Sequence, residues 1–247
     1  MVGTGDVGEY VLIPGDPKRV ELMAQHLHDS KRISENRQFV TVTGWFKEVK
    51  VSIVSSGIGV PATLIVVEEL SRVGAKTLIR VGTTGGLQKN VDVGDIVVAD
   101  AAVRTDGGTQ AYAPLGYPAI ANRLVVDALI QACLERLQKF HEGIIWTSEA
   151  YYAESPQLAR MWHDLNVISV EMESSALFTL SSIRRLKAGS ILVVDGNLVY
   201  GKKKSEILKN QQAYDPLVLE GIHKATEVSL HAIVNLYDKE RNNKSPS

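Results

Sequence analysis

A chain of 247 residues with 27 basic and 28 acidic side chains has a formal net charge of -1, and 45% of it is hydrophobic. That balance excludes a general nucleic-acid or anionic-membrane binder, which needs a basic excess, and it excludes a disordered chain. No stretch of about 18 apolar residues spans a bilayer, no leader pattern opens the chain, and one cysteine, Cys133, allows no intramolecular disulfide; a cytoplasmic protein without nucleic-acid or membrane partners is expected.

In chain order, a strand near 10–14 leads through Gly15-Asp16-Pro17-Lys18-Arg19 into a helix over 17–28 carrying Val20, Leu22, Met23 and Leu27. Pro17 suits a first helical position, leaving Gly15 at a strand-to-helix turn with exposed amides and Arg19 one turn in. A capped helix start and an anion site both fit this segment. Strands near 38–43 and 49–55, joined by Gly44-Trp45-Phe46-Lys47, form a hairpin. The GxGxxA stretch Gly57-Ile58-Gly59-Val60-Pro61-Ala62 precedes a helix over 61–73. A dinucleotide site expects an acidic residue about 20 positions on, where Arg80 and Gly82 stand instead, and Pro61 removes an amide donor.

A strand near 77–82 then runs into Arg80-Val81-Gly82-Thr83-Thr84-Gly85-Gly86, expected as a glycine-rich turn. Glycines let amides face a ligand, the threonines add donors, and Arg80 supplies a charged fork that matches phosphate oxygens. An oxyanion site and a plain turn remain the two readings of this stretch alone.

Farther on, strands are expected near 94–102, 142–147, 167–171 and 189–195, and helices near 121–139, 156–164, 173–186 and 216–237, with a frayed polar tail from Lys239. Cys133, among Val126, Leu129, Ile130, Leu134 and Leu137 at helical spacing, reads as core. The six histidines show no metal-ligand spacing, and Lys202-Lys203-Lys204 reads as a solvated loop. The alternation is that of a single α/β domain over 1–247 with a mixed central sheet flanked by helices.

Two acidic groups stand at strand ends. Glu171-Met172-Glu173 begins a helix, where carboxylates either complement the dipole or accept from sugar hydroxyls beside a soft apolar surface. Asp195, followed by Gly196-Asn197, is either a turn residue or, in a partly desolvated pocket, a proton donor to a departing group. Tyr151-Tyr152 could give a base an aromatic platform or pack the edge of the core.

The set Pro14-Gly15-Asp16-Pro17-Lys18-Arg19, Asn36-Arg37-Gln38-Phe39, Arg80 to Gly85, Thr147-Ser148-Glu149-Ala150-Tyr151-Tyr152, Val170-Glu171-Met172-Glu173 and Val194-Asp195-Gly196 resembles the nucleoside phosphorylase family, which includes uridine phosphorylases and hexameric purine nucleoside phosphorylases. The motifs stand in family order along nearly the whole chain. The resemblance implies attack of inorganic phosphate on C1′ of a nucleoside, giving a pentose 1-phosphate and a free base, with no cofactor. It implies a phosphate site of Gly15, Arg19, Arg80 and Thr83, with Arg37 reaching a neighbouring subunit's phosphate in a homo-oligomer, a hexamer built as a trimer of dimers. It further implies ribose contacts from Glu171, Met172 and Glu173, and a base pocket of Thr84, Gly85 and Tyr151.

Gly-Thr-Thr-Gly resembles uridine phosphorylase, but the Gln-x-Arg that reads uracil is absent after Tyr152. Asp195 resembles the purine-type acid at N7. Inosine or guanosine is therefore the expected substrate, with adenosine and methylthioadenosine as further purine candidates and uridine as the alternative; a hydrolase or a noncatalytic nucleoside binder is the reading outside the family activity. No histidine precedes His26 to match the family residue that reaches a partner's nucleoside 5′-hydroxyl.

Overall fold

The computed structural model describes residues 2–201 and 215–244, so Lys202-Lys203-Lys204 lies outside the described residues. In chain order these form β1 (Tyr10–Ile13), α1 (Pro17–Ala24), β2 (His28–Asn36), β3 (Phe39–Phe46), β4 (Val49–Val54), α2 (Val60–Val73), β5 (Thr77–Gly86), β6 (Ile96–Arg104), β7 (Ala119–Ile120), α3 (Arg123–Glu135), β8 (Phe140–Thr147), α4 (Pro156–Asp164), β9 (Ser169–Glu171), α5 (Ser174–Ile183), β10 (Lys187–Asn197) and α6 (Pro216–Lys244). Single helical turns stand at Thr109–Ala111 and Tyr151–Ala153.

Local chemistry sets these boundaries. Proline stands at the start of α1, α2, α4 and α6, where its missing N–H costs nothing. Asp16 caps α1 by accepting from the Lys18 amide at 2.9 Å, and Ser155 caps α4. Gly74 ends α2 in the left-handed conformation, φ 103°.

The strands form one mixed sheet in the order β10-β6-β8-β9-β5-β1-β4-β3-β2, and β10 also pairs with β5. That extra pairing closes β5, β10, β6, β8 and β9 into a ring, from which β1 to β4 extend as a wing. β1, β4, β5 and β10 run parallel, so their carboxyl ends lie at one edge. Gly189 and Val193 on one face of β10 meet Val125 and Leu129 of α3 and Gly221 of α6. Ser190 on the opposite face meets Ser174 of α5, and α2 packs against α5. The sheet is thus covered on both sides, and its central strands are apolar throughout: Val11, Leu12, Leu78, Ile79, Ile191, Leu192 and Val193 have no exposed surface.

The mixed sheet agrees with the expectation from sequence; several boundaries do not. The glycine-rich turn at 82–86 is strand, because β10 pairs with β5 as far as Asn197↔Gly86. β2 had no apolar alternation to mark it: its side chains are mostly exposed, and pairing with β3 holds it. His26 lies beyond α1 and meets His223 of α6 at 3.3 Å. The last helix continues to Lys244 instead of fraying from Lys239, tied down where Glu240 accepts from Tyr10 and pairs with Lys187, and where Arg241 pairs with Glu48. Among the described residues no helix is long and apolar enough to cross a membrane, and no three His, Cys, Asp or Glu side chains are grouped to hold a metal.

Cys133 lies in the core of α3 without exposed surface, and burial pushes its thiol up to about 12. The expected outcome is no reaction of the native protein with an aromatic disulfide reagent at pH 8 and release of one thiol equivalent per chain in denaturant, read by absorbance; rapid native labelling would contradict this packing.

Candidate active site

The site follows from how β5 is shared. Along its whole length one edge pairs with β10. The other edge pairs with β1 only as far as Ile13↔Arg80 and with β9 only from Gly85↔Val170. Residues 81–84 therefore have no strand beside them on that edge, and the sheet splits there. Around the split stand the carboxyl end of β1 with Gly15, the loop after β4 with Gly57 and Gly59, and the start of α5 with Glu171 and Glu173.

Arg80 fills the split. Only 4% exposed, it donates from Nε to Glu171 Oε2 at 2.9 Å and pairs through Nη2 with Glu173 Oε2 at 2.5 Å. Burial opposes its charge, and Glu173 and Glu171 more than offset this, so its pKa is raised. The guanidinium lies forward over its own strand: a Cβ on Gly82 would come within 2.7 Å of it. The glycines of this stretch thus provide close approach rather than a turn. Gly82 admits Arg80, Gly85 admits Leu198, and Gly86 admits Asn197 and Val91.

Arg80 Nη1 is buried without a hydrogen-bond partner, and a Cβ on Gly15 would lie 3.9 Å from it. A buried cationic donor left over beside a glycine is suited to an anion's oxygen. Arg19, buried on α1, is close enough for its charge to act on Glu173, and the Thr83 hydroxyl, half-buried on the unpaired stretch, makes no hydrogen bond within the described residues.

The two carboxylates differ. Glu171 accepts from Arg80 Nε, Thr147 Oγ1 and the amides of Glu173 and Ser174, all between 2.7 and 3.0 Å. Expected as a ribose contact, it is occupied inside the protein by the start of α5 and by Arg80. Glu173 accepts from the Gly59 amide at 2.6 Å besides pairing with Arg80. Burial pushes its carboxyl up against the opposing pull of Arg80, so Glu173 takes a proton more readily than an ordinary glutamate. Met172 stands half-buried between them.

Several contributors were not singled out from sequence. Gly59, at φ 91°, turns the amide toward Glu173, which is the use of the GxGxxA stretch that did not fit a dinucleotide. Thr147 joins Glu171 to the Ser175 amide, and Ser175 donates to the fully buried Asp106 at 2.7 Å. Arg104 donates to Thr109 and to the carbonyls of Ala113, Pro114 and Tyr117, shaping the loop behind these residues. Gly59, Thr147 and Asp106 take their roles from partners distant in sequence, which no local pattern marks.

At the end of β10, the register shifts between Val194 and Gly196, so Asp195 is the extra residue of a bulge, half-buried. Its charge acts on Tyr151, whose pKa is raised first by burial and then by Asp195. Tyr151 is 43% exposed and meets the exposed Tyr152 edge to face at 5.0 Å. Thr84, expected to line the same base pocket, is buried and donates to the Val170 carbonyl at 2.7 Å, so its hydroxyl is held by β9. Arg37 stands apart: exposed at the β2–β3 tip with φ 56°, its side chain makes no hydrogen bond or ion pair within the described residues.

The sequence pattern of the phosphorylase superfamily matches residues 9–219. A guanosine phosphorylase of Halorubrum lacusprofundi is 36% identical over 236 residues, 96% of this chain and 97% of that protein. A uridine phosphorylase of Treponema pallidum is 39% identical over 221 residues, 85% and 84% of the two chains. The crystal structure of a uridine phosphorylase from Vibrio fischeri superposes with a TM-score of 0.86 at 29% identity, covering 95% of this chain and 94% of that one. With a family pattern matched over most of its length and relatives above 30% identity covering nearly all of it, the chain belongs to the phosphorylase superfamily and is a nucleoside phosphorylase, a pentosyltransferase.

Proposed function

We propose that this enzyme is a purine nucleoside phosphorylase that cleaves inosine or guanosine, with adenosine and methylthioadenosine as further candidates, using inorganic phosphate as co-substrate and no cofactor. The observation that carries the purine reading is Asp195, raised from the strand by a bulge next to Tyr151. Guanosine phosphorylase is also the activity printed for a relative matching nearly all of the chain.

In this reading Arg80 Nη1, Arg19, the Gly15 amide and the Thr83 hydroxyl hold phosphate below the sugar. A phosphate oxygen forms the bond to C1′ while the C1′–N9 bond breaks, its electron pair retreating into the purine. Asp195 gives a proton to N7 of the departing base, Glu173 and Met172 hold the ribose, and Tyr151 and Gly85 flank the base. Positioned anionic groups stabilise the developing sugar cation, and protonation relieves the base of charge. Thr83-Thr84 gives the uridine alternative its footing, together with uridine phosphorylase relatives such as that of Treponema pallidum. Thr84 is committed to Val170, which weakens that footing.

Charge supports a second copy at the site. Arg80 and Arg19 are balanced by Glu171 and Glu173, so a phosphate dianion needs a further cation. Arg37, which has no hydrogen bond or ion pair among the described residues, is suited to supply it to a neighbour, in a homo-oligomer and by resemblance a hexamer built as a trimer of dimers. A cytoplasmic site of action fits the single buried thiol.

Purine and pyrimidine nucleosides assayed with and without phosphate test the whole reading: base should be released from inosine and guanosine only when phosphate is present, whereas release without phosphate would make the protein a hydrolase and preference for uridine would overturn the purine choice. Asp195→Asn should lower kcat for inosine by about 10²-fold or more, measured by coupled hypoxanthine oxidation, with nucleoside KM changed far less. Arg37→Ala chains co-refolded with Asp195→Asn chains should recover activity that neither has alone, because each mixed pair contains one site with both groups intact; absence of recovery would remove Arg37 from the neighbouring site.

A further inference from the structure

We propose that Thr147 is a positioning residue for phosphate, acting through Glu171 on Arg80; this rests on the assignment of Arg80 to the phosphate site. Thr147 has no exposed surface, so it touches no substrate. Its hydroxyl accepts from the Ser175 amide at 2.9 Å and lies 2.7 Å from Glu171 Oε1. The amide can only donate and an ionised carboxylate only accept, so the hydroxyl proton has one direction, toward Glu171.

The consequence lies at Arg80. A carboxylate takes hydrogen bonds on two oxygens: the Ser174 amide is shared between them and the Glu173 amide lies on Oε2, so Thr147 is the donor that holds Oε1 alone. Oε2 is thereby presented to Arg80 Nε, at 2.9 Å. With Nε taken by Glu171 and Nη2 by Glu173, the planar fork has one orientation, and Nη1 is the donor left beside Gly15. Without the hydroxyl, Oε1 keeps only its share of the Ser174 amide, the carboxylate plane is free to tilt, and the fork loses the constraint that aims Nη1.

Thr147 is itself held on its other sides. Its carbonyl accepts from Thr105, whose hydroxyl accepts from Trp146 Nε1, and Ser175 is tied to the buried Asp106. The aim of the arginine is therefore set from the back of the site by residues that a phosphate never meets.

Thr147→Val keeps the shape and removes the hydroxyl. The expected result is a phosphate KM raised on the order of tenfold with nucleoside KM within twofold of wild type, and return of phosphate KM to within twofold of wild type in Thr147→Ser. Protection by inorganic phosphate against thermal unfolding, which needs no turnover, should need about tenfold more phosphate. Should the valine chain not fold, Thr147→Ala is read in the same two assays. An unchanged phosphate KM in the folded variant, equal rises in both KM values, or a serine variant no better than valine would overturn the proposal. Arg80→Met separates the premises: unchanged phosphate protection in that variant would remove the phosphate assignment itself, whereas its loss beside an unaffected Thr147→Val would remove only the role of Thr147.

Discussion

The ion triad of Arg80 with Glu171 and Glu173 constrains everything around it. A guanidinium withdrawn from water must be paired or its burial is prohibitively costly, and removing one member of such a group costs about 3–5 kcal/mol. The surrounding features follow from that requirement. The arginine lies down along its own strand, so residue 82 has no side chain. The two carboxylates need donors of their own, which the α5 amides, Gly59 and Thr147 provide. Strands β1 and β9 stop short of each other along β5, and the gap is where the side chain finds room.

The start of α5 links this charge network to the fold. A helix N-terminus carries partial positive charge and unpaired amides, and both favour an anion there. Glu171 meets that need from the preceding strand, and its Oε2 accepts from the α5 amides and from Arg80 together. A purely structural cap and a functional carboxylate are thus the same group, which is why the choice between dipole partner and sugar acceptor has a third answer for Glu171. Glu173, two residues later, keeps a single amide contact and the arginine, and is the better placed of the two for a sugar hydroxyl.

How far the sequence could be read depends on whether a residue's partners are near it. Strands such as Ile191-Leu192-Val193-Val194 and helices opened by proline announce themselves locally, and the mixed sheet followed from them. Arg80, Gly15, Arg19 and Asp195 were visible because charge and glycine at apolar strand ends are unusual. β2 was not visible, because its exposed side chains carry no alternation and its stability comes from β3. The glycines at 82–86 were seen but misread, since a turn and a close approach ask for the same residue. Thr147 stood in a motif without a role of its own and Asp106 in none: what they do exists only through Glu171 and Ser175, 24 and 69 positions away.

The position of Thr84 bears on the choice of base. In sequence the Thr83-Thr84 pair leans toward uridine because Gly-Thr-Thr-Gly resembles uridine phosphorylase. Successive side chains of a strand point to opposite faces, and with 83–86 extended the two threonines cannot serve one pocket together. Thr84 is indeed turned to the Val170 carbonyl, leaving Thr83 as the one hydroxyl of the pair without a hydrogen-bond partner among the described residues. A single hydroxyl beside Arg80 belongs as naturally to phosphate as to a base, so the pair no longer favours a pyrimidine. What remains to discriminate bases is the bulge at Asp195, locked from behind where Asn197 donates to the carbonyls of Gln88 and Val91 and accepts from the amides of Val199 and Tyr200. In the proposed purine reading, a strand that spends an extra residue at Asp195, and then fixes Asn197 two positions on through four hydrogen bonds, presents its carboxyl group to N7 of the base.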